Sequence, residues 1–85
     1  MIDPTPGRML WYWPTASEKS DSDDSQPRAA VVCHVTCNEL VTLSVFSDLG
    51  TPYTKTDVVL AHDREAGPGE AEWMPHQLEQ ARNAN

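Results

Sequence analysis

The sequence predicts a mainly β protein, built either as a small five-stranded SH3-like barrel or as a strongly bent antiparallel sheet. Five short stretches rich in β-branched or aromatic residues are separated by residues that favour turns. The first connection is long, the middle ones are tight and the last strand is short, which is typical of an SH3-like barrel. With 85 residues, the chain 1–85 is expected to fold as one small domain.

The first strand is predicted over 8–13 and is the most aromatic stretch of the chain. Aromatic side chains favour extended backbone, and proline is tolerated where a strand ends, here at Pro14. Alternation separates two sets of side chains: Met9, Trp11 and Trp13 on one face, Leu10 and Tyr12 on the other. Both faces are apolar, so one lines the core and the other is covered by the following loop, another subunit or a ligand. The sequence leaves open which face is buried.

Four further strands are predicted over 29–37, 40–46, 53–60 and 71–75. In the third strand, alternate apolar residues form a core face that consists of Val41, Leu43 and Val45. In the fourth strand, one face is shared by Thr56, Val58 and Leu60. Tight turns rich in asparagine, aspartate and glycine join the middle strands.

Two polar segments are predicted to lie outside the sheet. Residues 15–27 form a flexible acidic loop, because charged residues among serines cannot bury apolar area. This loop is either a solvated linker or an acidic flap over the first strand. Residues 76–85 form a polar tail with at most a frayed helical turn, since Leu78 and Ala81 are its only regular apolar positions.

The two cysteines lie four residues apart in the second predicted strand. This spacing places Cys33 and Cys37 roughly 13 Å apart, beyond the reach of about 7 Å that a disulfide allows. We expect reduced, buried thiols, as in a cytosolic protein. A zinc site is not expected, because His34 points away from both cysteines and a second cysteine pair is lacking.

The sequence carries no pattern typical of an enzyme. A glycine-rich phosphate loop, a nucleophile elbow and a helical metal pair are all absent from it. Cys33 and His34 are neighbours in a strand and diverge, so they do not form a nucleophile and base pair. We therefore expect no enzymatic activity, no catalytic residues, no metal and no cofactor.

The formal net charge of −7, from 6 basic and 13 acidic residues, excludes one class of partner. Affinity for nucleic acid comes largely from phosphate neutralisation, and the basic residues are scattered without a basic stripe. We expect no nucleic-acid polymer as a partner.

We also expect no membrane segment or secretory signal, because the chain starts Met-Ile-Asp-Pro and lacks a long apolar run. The expected compartment is the cytoplasm.

Six residues are candidates for ligand binding. In an SH3-like barrel the terminal strands meet, which brings Trp73 near Trp11 and Trp13. Tryptophan and tyrosine stack on planar ligands, and arginine binds phosphate or carboxylate. The predicted set is Trp11, Trp13, Trp73, Tyr12, Arg8 and Arg28. The alternative is that the rings fill the core and that the arginines are ordinary surface residues.

Several stretches together resemble a family of small uncharacterised bacteriophage and prophage proteins. They are Pro6-Gly7-Arg8, WYWP at 11–14, RAAVV at 28–32, VTLSVF at 41–46 and EWMP at 72–75. Members similar to this chain have an aromatic first strand, an alanine-valine second strand and a closing tryptophan-proline element. The resemblance covers nearly the whole chain apart from the acidic loop and the tail, and it implies origin and fold.

A phage origin implies a non-enzymatic binding protein of counter-defence or host-takeover type in the cytoplasm of the host cell. We expect a homo-oligomer, because so short a chain is marginally stable alone. Its ligand would be small, planar and nucleotide-like, and would be sequestered by the tryptophans. One alternative is an inhibitor that binds a host protein through the acidic loop and the aromatic face. Another is an accessory component of the virion.

Overall fold

The protein folds into a closed five-stranded β-barrel followed by one helix. The structure is a computed structural model that describes residues 2–18, 26–62 and 64–83. The elements are β1 (Met9–Tyr12), β2 (Arg28–Cys37), β3 (Leu40–Phe46), β4 (Pro52–Ala61), β5 (Ala71–Glu72) and α1 (Pro75–Asn83). This architecture confirms the predicted mainly β class and the small SH3-like barrel.

The barrel closes through its shortest strand. β5 pairs antiparallel with β1 and parallel with β4, while the pairs β1–β2, β2–β3 and β3–β4 are all antiparallel. Trp11 lies opposite Glu72, and Tyr12 lies opposite Ala71. The first and last strands therefore meet, as the sequence predicts.

The core shows which face of β1 is buried. Leu10 and Tyr12 point inward and are 0 % exposed. Alternation then places Met9 and Trp11 on the outer face. The side chains that fill the interior are Leu10, Tyr12, Ala30, Val32, Val41, Leu43, Val45, Val58, Leu60, Ala71 and Trp73. The core face predicted for the third strand is thus confirmed.

The core face of β2 carries Ala30 and Val32 and is the opposite of the face predicted to bury the cysteines, and two bulges follow it along the strand. The pairing with β3 shifts between Val32 and His34, and again between Val35 and Cys37. The extra residue of a bulge changes the alternation of the residues that follow it. Val32 lies before the first bulge and is buried, so alternation already turns its neighbour Cys33 outward. Cys37, after the second bulge, is exposed as well, and both are free thiols. The prediction of buried thiols is wrong.

We expect both thiols to react in the folded protein. Mass spectrometry of the chain incubated with a maleimide in native buffer should show two additions, at rates close to those in urea, because both cysteines are exposed. If either addition requires denaturant, its thiol is protected in solution.

A third bulge, in β4, changes which side chains enter the barrel. The pairing with β3 shifts between Leu43, opposite Lys55, and Val41, opposite Val58. Asp57, with a φ of 52°, lies in this bulge. Tyr53 and Lys55 share register with core residues of β3. Val58 and Leu60, beyond the bulge, are buried, whereas Thr56 is exposed, so the face predicted for the fourth strand holds only for its second half.

The two segments predicted to lie outside the sheet have structure where they are described. Residues 15–18 form a turn whose Glu18 contacts the barrel, and 19–25 of the predicted flexible loop lie outside the described residues. The predicted polar tail is a nine-residue helix over Pro75–Asn83. Proline suits the first helical position, and Gln77 accepts a hydrogen bond from Met74 N at 2.8 Å. The amide of Gln77 also donates to Met9 O at 2.9 Å, which ties α1 to β1.

α1 is too short and too polar to cross a bilayer, and no other helix is present in the described ranges.

Candidate functional site

The outer face of β1 carries an apolar surface that we call the outer patch, formed by Met9, Trp11, Trp13, Ala29 and Val31. In the sheet register, Met9 lies opposite Val31 and Trp11 opposite Ala29. Cross-strand neighbours share a face and their side chains contact each other. Met9 is 37 % exposed, and both tryptophans are half-buried. Two indole rings thus remain accessible on the surface of the barrel.

A pocket adjoins the outer patch at Trp13. It has a volume of about 380 Å³, opens to solvent, and is lined by Trp13, Glu65, Ala66 and Glu72. Glu72 accepts a hydrogen bond from Trp13 Nε1 and lies opposite Trp11 in the register. The carboxylate of Glu72 is therefore placed between the two tryptophans.

The wall of this pocket is held by backbone and ionic contacts. Trp13 N donates to Glu70 O at 2.9 Å, and Gly69 N donates to Trp13 O at 2.7 Å. Arg64 donates to both carboxylate oxygens of Glu70, at 2.7 and 2.9 Å. These bonds from Arg64, joined by one from Gly67 N, lower the pKa of Glu70 to about 2. The segment that presents Glu65 is thereby fixed beside the indole ring.

The structure brings together only part of the predicted ligand-binding set. Trp11 and Trp13 share the outer face. Trp73 is 2 % exposed and Tyr12 is 0 % exposed, so both are core residues. The site made of all three tryptophans is therefore not present, because Trp73 points into the barrel while the other two point out of it.

The two predicted arginines are also separated from the pocket lining. Arg28 donates to Tyr53 Oη at 2.9 Å and to Glu18 O at 3.0 Å. Arg8 is exposed and precedes β1. Carboxylates line the pocket beside Trp13, and neither arginine is among its lining residues.

A second group of polar side chains, which the sequence analysis did not predict, converges at one end of the barrel. We call it the mouth cluster, and its members are Tyr12, Thr15, Glu18, Arg28, Tyr53 and Lys55. Glu18 is its centre: Oε1 accepts from Tyr12 Oη at 2.6 Å, and Oε2 accepts from Tyr53 Oη at 2.8 Å. Thr15 adds bonds from its hydroxyl at 2.9 Å and from its backbone N–H at 3.2 Å. Lys55 Nζ lies 3.7 Å from Oε1.

These contacts keep the carboxyl group of Glu18 ionised. Desolvation acts to raise the pKa of Glu18, but the hydrogen bonds from the two tyrosines and Thr15 together outweigh it and lower the pKa to about 2. Burial, followed by the bond to this carboxylate, raises the pKa of Tyr12. The tyrosine therefore stays a hydrogen-bond donor at neutral pH.

Part of the mouth cluster leaves a signal in the sequence. Thr15-Ala16-Ser17-Glu18 has the spacing of a capping box, in which the acidic side chain bonds back to the threonine. Tyr53 and Lys55 leave none, because they reach the interior through the bulge in β4. Tyr12 and Arg28 were singled out in the sequence, but as ligand contacts.

The described residues support binding chemistry. They contain no group of three or more histidine, cysteine, aspartate or glutamate residues placed to hold a metal ion. The outer patch with its pocket presents indole rings beside carboxylates, which can bind apolar and cationic groups. The mouth cluster presents hydroxyl and cationic donors to a carboxylate.

Fold and surfaces together define a small β-barrel of the SH3-like class with a solvent-facing aromatic patch. No protein-family model matches the chain, and no curated protein or solved structure matches it.

Proposed function

We propose that this chain is a non-enzymatic binding protein that holds a partner protein on the outer patch. The observation that carries the proposal is the pair of half-buried tryptophans, Trp11 and Trp13, on the outer face of a closed barrel. Tryptophan is enriched where interfaces contribute most binding energy, and the barrel already has Trp73 in its core. The outer pair therefore supports recognition better than folding.

The charge around the patch favours a basic partner. Glu65 and Glu72 line the pocket beside Trp13, and the chain has a net charge of −7. A lysine or arginine side chain gains from both carboxylates and from the face of the indole ring. The proposed contact is therefore a segment that presents a cationic side chain next to an apolar one.

The resemblance to phage proteins extends this proposal. If the chain comes from a phage, the partner is a protein of the host cell. Binding would then inhibit that protein, as in counter-defence or host takeover. The counter-defence role rests on the resemblance, and the surface that would perform it rests on the outer patch.

The pocket volume favours a second candidate, the small planar ligand that the sequence predicts. About 380 Å³ lies at the lower end of the range for small-molecule sites. Two lining carboxylates repel phosphate, so a neutral or cationic planar molecule suits this pocket better than a phosphorylated nucleotide. A sequestered molecule would appear in native mass spectrometry as a small adduct that Trp13→Ala removes.

The test of the main proposal compares variants in affinity capture from phage-infected cells. The partner captured by the wild type should be lost with Trp13→Ala, since truncating a central interface tryptophan weakens binding by about 30-fold or more. Leu49→Ala is the matched control, because Leu49 is 89 % exposed on the turn between β3 and β4 and is not one of the residues that form the patch. It should retain the partner.

The captured protein is then purified and titrated by calorimetry at two salt concentrations. Glu65→Gln should weaken binding several-fold and flatten its salt dependence, because the cationic contact loses a charge. A partner bound equally by wild type and folded Trp13→Ala contradicts the proposal. A change of oligomeric state in Trp13→Ala instead shows that a second copy of the chain occupies the patch.

A further inference from the structure

The mouth cluster has two kinds of member, which differ in how the fold holds them. Tyr12, Arg28, Tyr53 and Lys55 lie on strands β1, β2 and β4 of the barrel. Glu18 lies on the turn that follows β1 and reaches back to them. The donors are thus part of the barrel wall, whereas the acceptor comes from outside it.

The strand-borne donors have placements that the barrel itself supports, although Arg28 also donates to Glu18 O at 3.0 Å. Arg28 lies opposite Tyr12 in the register and shares its face. Tyr53 packs against the core, and Arg28 donates to its hydroxyl at 2.9 Å while the guanidinium carbon lies 5.9 Å from the centroid of its ring. Lys55 lies opposite the buried Leu43. Sheet register and core packing therefore place these groups.

The donors make a site that requires an anion. Without a carboxylate, the hydroxyl of the fully buried Tyr12 would lose its acceptor, which is unfavourable. The cluster contains two positively charged side chains, Arg28 and Lys55. The negative charges near them are those of Glu18 and Asp48. The spacing of the two tyrosine hydroxyls lets each bind one oxygen of the same carboxylate, at 2.6 and 2.8 Å.

We propose that the strand-borne donors of the mouth cluster form a carboxylate-binding site, which Glu18 occupies as an internal ligand in this structure. A molecule that carries a carboxylate binds there when the carboxylate of Glu18 is absent or displaced. This site is on the inner face of the barrel, separate from the outer patch, and so goes beyond the function proposed above. Glu18 competes with an external ligand from within the same chain.

The test is rescue of Glu18→Ala by acetate. We expect the variant to melt at a lower temperature than wild type in sodium chloride. About 100 mM sodium acetate, at matched sodium concentration, should raise its Tm by roughly 5 °C more than chloride does. In wild type, the two salts should give equal Tm values, because Glu18 already fills the site. Replacing acetate by inorganic phosphate should rescue less, because two hydroxyls placed for one carboxylate suit a planar anion.

Glu70→Ala is the matched control. Glu70 is also held by bonds from a basic residue, Arg64, and its pKa is also about 2, but the pair is exposed and has no tyrosine donors. Acetate should therefore not rescue it beyond chloride. Adding Tyr53→Phe to Glu18→Ala should reduce the rescue, since it removes one donor.

Equal effects of acetate and chloride on Glu18→Ala would overturn the proposal, as would equal rescue of Glu70→Ala. Acetate stabilisation of wild type as large as that of the variant would overturn it too, because the bound anion would then lie elsewhere. If Glu18→Ala does not fold in either salt, Glu18→Ser decides by the same comparison, because its short side chain also leaves the carboxylate position empty. None of these measurements involves the outer patch, so they fail or succeed independently of partner binding.

Discussion

Trp73→Ala is expected to destabilise the protein more than any other single truncation of an aromatic residue. Trp73 is 2 % exposed and is the largest fully buried side chain. Truncating a buried tryptophan costs about 3–5 kcal/mol, against a total stability of roughly 5–15 kcal/mol for a domain. For a chain of this size that loss lowers Tm by at least about 12 °C. Thermal unfolding followed by circular dichroism measures it.

Trp73→Phe is the informative companion. Trp73 Nε1 is buried and has no hydrogen-bond partner among the described residues. Phenylalanine leaves a smaller cavity and removes that unpaired donor, so its cost should be about 1 kcal/mol or less.

Trp13→Ala, on the outer face, should lower Tm much less than Trp73→Ala while removing partner binding. Equal loss of stability in Trp13→Ala and Trp73→Ala would show that both rings belong to the core.

Stability is expected to fall steeply with acid because of Glu18. Its pKa is about 2 in the folded protein and about 4.5 when unperturbed. A carboxyl group with a lowered pKa stabilises the folded state above the pKa of the unfolded chain. That contribution, about 2–3 kcal/mol, is lost as the pH falls from about 4.5 to about 2. Urea unfolding at several pH values gives the profile.

The comparison with Glu18→Gln isolates this residue. Wild type should exceed the variant in unfolding free energy above about pH 5, and the difference should shrink as the pH falls through about 2, because Glu18 becomes protonated and uncharged there. The groups around the carboxylate are Tyr12, Thr15, Tyr53, Lys55 and Arg28, of which Lys55 and Arg28 are charged. Glu70→Gln is the control over the same pH range. In wild type, added salt should weaken the exposed ion pair between Glu70 and Arg64. The Glu18 effect should persist in salt, because that side chain is only 13 % exposed. A pH-independent difference would falsify the role given to its charge.

The strands could be predicted from the sequence because their signal is local. Alternation in 40–46 reports the pleat directly, and Val41, Leu43 and Val45 are all buried. The same rule fails where a bulge interrupts it. A bulge depends on how two strands pair, so the inward position of Tyr53 cannot be read from one strand alone. The exposure of Cys33 has another cause: both faces of β2 are largely apolar, and the sequence does not show that the face with Val32 is the buried one.

The candidate site, like the strands, could be predicted in part from the sequence. Trp11 and Trp13 stand out in any reading of the sequence, and alternation already separates them from Tyr12. Which of the two faces points inward depends on the residues that close the barrel from both sides. Trp73 cannot be assigned to core or surface from a strand of two residues, because so short a strand has no periodicity.

The closed barrel also limits the way in which a partner can bind. β1 has β2 on one side and β5 on the other, so its backbone is already engaged along both edges at Trp11 and Tyr12. A partner therefore cannot extend the sheet at these residues by adding its own strand, a mode that tolerates sequence change because the main chain supplies the affinity. Under the proposed function, recognition at the outer patch would come from side chains. A target protein could then escape through one substitution at the cationic contact, and the barrel could restore binding by changing residues outside its core.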